Sequence, residues 1–257
     1  RISKAHVPLY GEVTYLLMGL EAALAAAGRL VDETVFYLRE QVPFFKSVTI
    51  PMSGGADSTL VAALLRAACD RLLEEEGRKV TLVGFALPCA LEASAEEYTD
   101  KGVLAARLYC DEVATVNVGL AHGAAMAFWT DGAVAFESGK TLRELQWDLK
   151  IPPLNSTTRD FRLLRGNTAA RMRMIFAYGT AALLNGAQVS TDNLTEGLMG
   201  FWTLCGDEGT FKLIQGLLKG LEQPQIMHVL GIPDIFITQK PTDGLGVGNG
   251  DVAQLYG

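Results

Sequence analysis

The stretch VTIPMSGGADSTLVAALL, Val48 to Leu65, joins two apolar runs through the turn Ser53-Gly54-Gly55-Ala56-Asp57-Ser58. The first run is short and rich in β-branched residues, which is typical of a buried strand, and the second has the length and pattern of a helix. A simple strand-to-helix connection needs neither two glycines nor three side chains that carry oxygen. We therefore interpret this turn as a candidate binding site and take it as the centre of the fold.

Strand-like and helix-like segments alternate on both sides of this turn. Strands are predicted over residues 46–52, 79–87, 112–118 and 188–191, and helices over 12–27, 30–41, 57–76, 95–109, 167–184 and 194–199. Alternation of this kind indicates βαβ units, whose strands lie parallel in one sheet. We expect an α/β fold, with an open, mostly parallel sheet and helices on both faces, in a single domain over residues 1–257.

Two further segments are predicted to be irregular. Residues 132–165 contain Pro152-Pro153 and a run of small polar residues, which favours a long mobile loop. Beyond Pro241 the chain is rich in glycine and is predicted to form a lid or a frayed end.

The composition limits the classes of function. Of 257 residues, 49% are hydrophobic and 20% are charged, which predicts a substantial core. The formal net charge is −7, which argues against nucleic-acid binding through a basic surface. The four cysteines are widely spaced, so we expect neither a zinc site nor a disulfide framework, and a cytoplasmic location fits. We find no apolar run of about 18 residues that would cross a membrane.

The glycine-rich turn has the features of a phosphate-binding loop. Glycines let main-chain amides approach an anion, and the N-terminus of the following helix attracts negative charge. The hydroxyls of Ser53 and Ser58 add donors, and Asp57 suits Mg²⁺ bound to phosphate. The turn lacks the lysine of the common mononucleotide loop. The alternative is a capped helix, with Asp57 as the N-cap and the glycines forming a tight turn.

Five arginines are concentrated in one short segment of this acidic chain, which indicates that the segment meets an anion. They are Arg159, Arg162, Arg165, Arg171 and Arg173. The planar guanidinium suits phosphate and carboxylate. Since Arg171 and Arg173 are two residues apart on a predicted helix, they point to different sides. We expect Arg171 to face a ligand and Arg173 to form a structural ion pair.

A second polar cluster follows the predicted strand that ends near Ser190. Thr191, Asp192 and Asn193 stand at the strand end, where open parallel sheets bind ligands, and Glu196 follows on the next helix. Glu196 would suit a second Mg²⁺ between phosphates. The alternative interpretation makes the cluster a helix cap and Glu196 a charge in the first helical turn.

Together these motifs resemble a known family. The string S-G-G-x-D-S is similar to the pyrophosphate loop of the ATP pyrophosphatases. GNTAARMRM from Gly166, STDNLTEGLMGFWTLCGDEG from Ser190 and QKPTDGL from Gln239 are similar, in the same order, to blocks of the ammonia-dependent NAD synthetases. The resemblance extends from about Leu30 to Leu245.

The resemblance implies roles for particular residues. Asp57 and Glu196 would be the catalytic carboxylates that hold Mg²⁺, and Arg171 would contact the deamidated dinucleotide. Lys219 aligns with an ATP-binding lysine when one gap is allowed. The implied ATP contacts are Ser53, Gly54, Gly55, Asp57, Ser58, Thr191, Lys219 and Thr242. The implied cofactors are ATP, as co-substrate, and Mg²⁺.

The implied reaction is amidation of a nicotinate nucleotide. The nicotinate carboxylate would attack the α-phosphorus of ATP, and ammonia would then displace AMP from the acyl-adenylate. The chain departs from the family pattern at Leu204, where lysine is usual, and at Ala86, where arginine is usual. Three alternatives follow: nicotinate mononucleotide as the substrate, a nucleotide-binding protein with little turnover, and another adenylating enzyme, such as one that modifies tRNA.

The sequence also suggests how the protein assembles. We predict no glutaminase domain, so the use of glutamine would need a partner protein. The apolar segment 12–27 is predicted to pack in a homodimer interface. No membrane or nucleic-acid partner is expected, and the small-molecule partners are a nicotinate nucleotide and ammonia.

Overall fold

A computed structural model describes residues 3–6, 14–17, 19–89, 95–130, 134, 136–151 and 158–238. The strands are β1 (Ser3–His6), β2 (Thr14–Leu17), β3 (Ser47–Pro51), β4 (Thr81–Ala86), β5 (Glu112–Thr115), β6 (Gly186–Ser190) and β7 (Phe211–Lys212). The helices are α1 (Leu20–Phe36), α2 (Ala56–Glu76), α3 (Ala95–Tyr109), α4 (Gly119–Thr130), α5 (Leu142–Asp148), α6 (Arg159–Leu183), α7 (Leu194–Met199), α8 (Gln223–Val229) and α9 (Asp234–Ile237).

Five of these strands form one parallel sheet in the order β5-β4-β3-β6-β7. From β3 the chain moves to one side, through β4 and β5, and then returns to the other side of β3 through β6. The strand order therefore reverses between β3 and β6, and open parallel sheets bind ligands at such a reversal, beyond the carboxyl ends of the strands. The predicted parallel sheet is confirmed.

The two faces of the sheet are covered by different helices, as predicted. Successive side chains of a strand point to opposite faces. Accordingly, Leu82 of β4 joins the core under α2 and α3, whereas Val83 and Phe85 join a smaller cluster that includes Phe176 of α6. The rings of Phe85 and Phe176 meet edge to face, 5.2 Å apart.

The central helix α2 is held by burial along most of its length and ends where the sequence predicts. Eleven of its residues are buried, among them Leu60, Leu64 and Leu65 at 0% exposure, so it lies inside the molecule beneath α1 and the C-terminal helices. Gly77 follows with φ +65° and ψ 13°, a left-handed conformation that favours glycine and ends the helix.

The N-terminal helix prediction is wrong over its first part. Thr14–Leu17 form β2, which pairs with β1 in antiparallel register, Lys4 opposite Leu16. The helix begins only at Leu20, because Gly19 has φ +81° and breaks the chain direction there. From Leu20 the two predicted helices are one continuous helix, which passes through Gly28 and ends in a π-helical turn, Tyr37–Gln41.

Two other differences concern the segment predicted to be irregular. Helix α6 begins at Arg159, eight residues before its predicted start, since the hydroxyl of Thr158 caps it by accepting from the Phe161 N–H at 3.3 Å. A short helix, α5, starts from a capping box between Thr141 and Glu144.

The predicted glycine-rich lid beyond Pro241 lies outside the described residues. Among the described helices, none combines the length and the hydropathy that crossing a bilayer requires.

Candidate active site

The turn after β3 presents main-chain amides at the start of α2. Gly54 has φ +79°, which turns the chain sharply, and Gly55 occupies the N-cap position in an extended conformation. A glycine N-cap has no side chain to satisfy the first amides of the helix, so they remain suited to an anion. The alternative in which Asp57 caps the helix is wrong, because Asp57 lies within the first turn of α2.

Hydrogen bonds within the turn hold its two serines together. The hydroxyls of Ser53 and Ser58 lie 3.1 Å apart, and the Gly55 N–H donates to Ser53 Oγ at 3.2 Å. The hydroxyl of Ser58 is 3.3 Å from the Gly55 carbonyl oxygen, while Thr59 donates to the same oxygen at 2.8 Å. Ser58 is buried and Ser53 is exposed, so one side of the turn packs against the protein and the other side is accessible to a ligand.

The turn is also braced by α3. A Cβ placed on Gly54 would lie 2.6 Å from the backbone at Lys101 and Gly102. A Cβ on Gly102 would lie 2.3 Å from the carbonyl oxygen of Met52. Both approaches are closer than any side chain allows, so glycine is needed on each side of this contact.

The loop after β6 meets the turn across the reversal point. Asn193 caps α7 by accepting from the Glu196 N–H at 3.0 Å, and Glu196 Oε2 accepts in return from the Asn193 N–H at 3.3 Å. The Asn193 side chain also donates to Asp57 Oδ1 at 2.9 Å. The capping interpretation of this cluster is therefore correct, and the same cap brings Glu196 towards Asp57.

Lys219 stands between the two carboxylates. Its Nζ is 2.9 Å from Glu196 Oε1 and 3.2 Å from Asp57 Oδ2. The side chains of all three residues are 17–20% exposed. Residues from three segments that are remote in the sequence thus form a compact charged cluster, which we call the Asp57–Glu196–Lys219 cluster.

Burial and the neighbouring charge of Asp57 raise the pKa of the Glu196 carboxyl to about 7, against its ordinary value of 4.5, although Lys219 opposes the change. Between these pH values the folded protein holds a proton that the unfolded chain has lost. We therefore expect the free energy of unfolding to fall by up to about 3 kcal/mol as pH rises from 4.5 to 7. Urea denaturation at several pH values measures this slope, and Glu196→Gln should flatten it.

The two arginines of α6 that follow Ala170 reach different parts of the molecule. Arg171 Nε donates to the carbonyl oxygen of Leu204 at 3.1 Å, and Arg173 Nε donates to the carbonyl oxygen of Leu87 at 3.0 Å. The prediction that they point to different sides is confirmed. The contact of Arg173 joins α6 to the carbonyl that follows β4, and the ion pair predicted for Arg173 stays a prediction.

The block that follows β6 is folded tightly onto the strand. The Ser190 hydroxyl donates to the Asp207 carbonyl oxygen at 3.0 Å, and the Asp207 carboxylate accepts from the Thr203 N–H at 2.5 Å. A Cβ on Gly209 would lie 2.1 Å from the Ser190 nitrogen, so the chain returns in direct contact with β6. This return positions Leu204 beside Arg171.

The structure brings together most of the residues singled out from the sequence. One site contains the turn residues together with Asp57, Glu196 and Lys219. Thr191 lies half-buried directly after β6. Arg171 lies on α6 beside Leu204. Thr242 lies outside the described residues. The sequence placed Asn193 in the polar cluster at the strand end, but it did not indicate that the Asn193 side chain contacts Asp57.

Comparison with known proteins shows which family the sequence resembles. A family model described as NAD synthase matches residues 30–256. The chain is 32% identical over 218 residues to an NH₃-dependent NAD⁺ synthetase of Escherichia coli strain SMS-3-5, and the match covers 84% of this chain and 69% of the relative.

Solved structures give the same assignment of the fold. An NAD⁺ synthetase from Burkholderia pseudomallei is similar with a TM-score of 0.64 and 26% identity, over 85% of this chain and 71% of that one. An NMN synthetase from Francisella tularensis has a TM-score of 0.68 with 19% identity, over 90% of this chain and 80% of that one. At that identity the second similarity concerns the fold alone.

Proposed function

Because the chain belongs to the NAD synthase family, we propose that it catalyses the ATP-dependent amidation of deamido-NAD with ammonia, giving NAD, AMP and pyrophosphate. One observation carries the proposal. The glycine-rich turn after β3 and the capped loop after β6 meet at the point where the strand order reverses, and there they bring Asp57, Glu196 and Lys219 together.

The residues of the site suit the two halves of this reaction. The main-chain amides at the start of α2, with the hydroxyls of Ser53 and Ser58, would bind the β- and γ-phosphates and stabilise the departing pyrophosphate. The Lys219 ammonium would contact the same phosphates. Arg171 would hold the deamidated dinucleotide, so that its nicotinate carboxylate is placed in line with the α-phosphorus.

The carboxylates of Asp57 and Glu196 fit a Mg²⁺ site, because the structure already places one cation, the Lys219 ammonium, between them. Oxygen ligands of this type are those that Mg²⁺ prefers. In the described part of the chain no group of three or more His, Cys, Asp or Glu side chains is arranged around a metal position. Phosphate oxygens and water would therefore complete the coordination. When bound, Mg²⁺ would neutralise charge that develops on the pyrophosphate.

A product assay tests the proposed reaction. The protein is incubated with ATP, Mg²⁺, ammonium and deamido-NAD, and the nucleotides are separated by chromatography. We expect NAD and AMP in equal amounts, with neither formed when ammonium or deamido-NAD is omitted. Nicotinate mononucleotide and glutamine, tested in parallel, determine the preferred acid and nitrogen donor. Formation of ADP in place of AMP would rule the proposal out.

Replacement of Arg171 tests the assignment of the substrate side. Lysine keeps the charge but loses the planar fork, so Arg171→Lys should raise KM for deamido-NAD about 10- to 100-fold, while KM for ATP stays within about twofold. Steady-state kinetics with each substrate varied in turn measure both values. Arg162→Lys, at an exposed position of the same helix, is the control and should change neither constant.

We also propose a homodimer and a cytoplasmic location for the protein. The apolar segment that suggested the dimer forms a helix only from Leu20, where Ala23, Ala26 and Ala27 pack inward and Leu20 and Leu24 remain exposed. Light scattering measures the assembly directly, and a monomer at all concentrations would contradict the proposed dimer.

A further inference from the structure

Every carboxylate oxygen of Asp57 and Glu196 already has a partner. Asn193 Nδ2 donates to Asp57 Oδ1 at 2.9 Å, and the Asn193 N–H donates to Glu196 Oε2 at 3.3 Å. The remaining oxygen of each carboxylate faces Lys219 Nζ, at 3.2 Å from Asp57 Oδ2 and 2.9 Å from Glu196 Oε1. The lysine ammonium therefore contacts one oxygen of each carboxylate that would hold a divalent cation.

The main chain around Lys219 supports this position. The Lys219 N–H donates to the Thr195 hydroxyl at 3.0 Å, and the Leu194 N–H donates to the Leu217 carbonyl oxygen at 2.9 Å. The segment that carries the lysine is thus fastened to the first turn of α7, which also carries Glu196. The ammonium is held against Glu196 by this local framework, and the contact with Asp57 adds a second counter-charge.

A lysine ammonium and a divalent ion cannot occupy this gap together. The three side chains are largely shielded from solvent, and like charges a few ångströms apart repel strongly where water is scarce. A metal ion that enters alone must therefore displace the ammonium and leave it near a divalent charge. A polyphosphate changes this balance, because its oxygens offer the ammonium a new anionic partner close by.

We propose, on the premise that this is the ATP site proposed above, that Lys219 is a resident counter-ion that excludes a divalent cation from Asp57 and Glu196 until nucleotide phosphate draws its ammonium away. The carboxylates are then neutralised in both states, by lysine before the nucleotide binds and by metal afterwards. Metal and nucleotide binding become interdependent, and each ligand raises the affinity for the other by the same factor.

Metal binding to the nucleotide-free protein tests this role, with Mn²⁺ as the probe and free Mn²⁺ counted by electron paramagnetic resonance. Lys219→Met removes the competing charge, so the Kd for Mn²⁺ should fall about tenfold or more. The matched control is Lys212→Met, which removes an equal positive charge. Lys212 pairs with Asp192 at 3.6 Å. The Kd of this control variant for Mn²⁺ should stay within about twofold of that of the original protein. Adding Glu196→Gln to Lys219→Met should abolish the gain, which locates the metal at this cluster.

Thermal unfolding without metal establishes that each variant is folded. If Lys219→Met does not fold, Lys219→Gln, which keeps a hydrogen-bond donor between the carboxylates, serves for the same measurement. An unchanged or weaker Kd for Mn²⁺ in a folded Lys219 variant overturns the counter-ion role. The titration needs neither ATP nor a nicotinate acid, so its outcome is separate from that of the product assay. If the Lys219 variants gain Mn²⁺ affinity while the unaltered protein never forms AMP in the product assay, the proposed reaction is refuted and the counter-ion role is kept.

Discussion

Asp57→Asn should lower kcat/KM for NAD formation about 10³-fold, which corresponds to about 4 kcal/mol of lost transition-state stabilisation. The substitution preserves the shape of the side chain and removes its charge. The carbonyl oxygen of the new amide can still accept from Asn193. Its NH₂ group would then face the Lys219 ammonium, so two donors would meet where the structure has an ion pair.

The measurement is steady-state kinetics of AMP release, with circular dichroism and thermal unfolding to show that the variant is folded. Asp70→Asn is the matched control, since it neutralises an acidic residue of the same helix about 20 Å further along, where Asp70 pairs with Arg66 at 2.6 Å. That control should keep kcat/KM within about twofold. Activity of Asp57→Asn within tenfold of the original would show that the carboxylate is not needed in the reaction.

The strands and helices nearest the glycine-rich turn could be predicted from the sequence because their signals are local. A β-branched run, two glycines and a long apolar helix that ends at Gly77 leave little choice of structure, and β3 and α2 form as expected. The segment Ala95–Tyr109 is likewise a helix over the predicted residues. Several signals predict the same strand and helix at the turn. They are the pattern of apolar residues, the turn residues and the glycine that follows α2.

Predictions were wrong where the local signal was weak or was overridden by pairing. The residues Thr14–Leu17 are apolar enough for either state, and pairing with β1 makes them a strand. Helix α4 was not predicted, because it is rich in glycine and alanine and has little polar contrast between its faces. Helix α6 starts earlier than predicted because Thr158 caps it. The proline pair upstream indicated an irregular segment that continues past this residue.

The cluster of charges at the site follows from topology more than from local sequence. Asn193 and Asp57 are 136 residues apart, and their contact exists only because β3 and β6 are neighbours in the sheet. The order of strands cannot be obtained from the alternation of segments alone. The family resemblance selected the residues Asp57 and Glu196, but the sequence did not indicate that Lys219 contacts both carboxylates.

The second large effect is expected at Gly102, which faces the carbonyl of Met52 rather than any ligand. A methyl group on this residue would lie 2.3 Å from that oxygen, so Gly102→Ala must push α3 away from the end of β3. We expect the free energy of unfolding to fall by about 3 kcal/mol, because the contact joins two backbones that cannot yield as a flexible side chain would. The displaced turn should also raise KM for ATP, since Gly54 packs on the same part of α3.

Gly28→Ala provides the control for Gly102→Ala, since both glycines lie inside helices. A Cβ on Gly28 meets nothing within 4 Å, so alanine should stabilise the protein by about 0.5–1 kcal/mol through its higher helix propensity. Urea denaturation of the two variants should thus give changes of opposite sign for the same chemical substitution. If Gly102→Ala were as stable as the original protein, the close approach of α3 to the turn would be wrong, and the bracing of the phosphate loop would need another explanation.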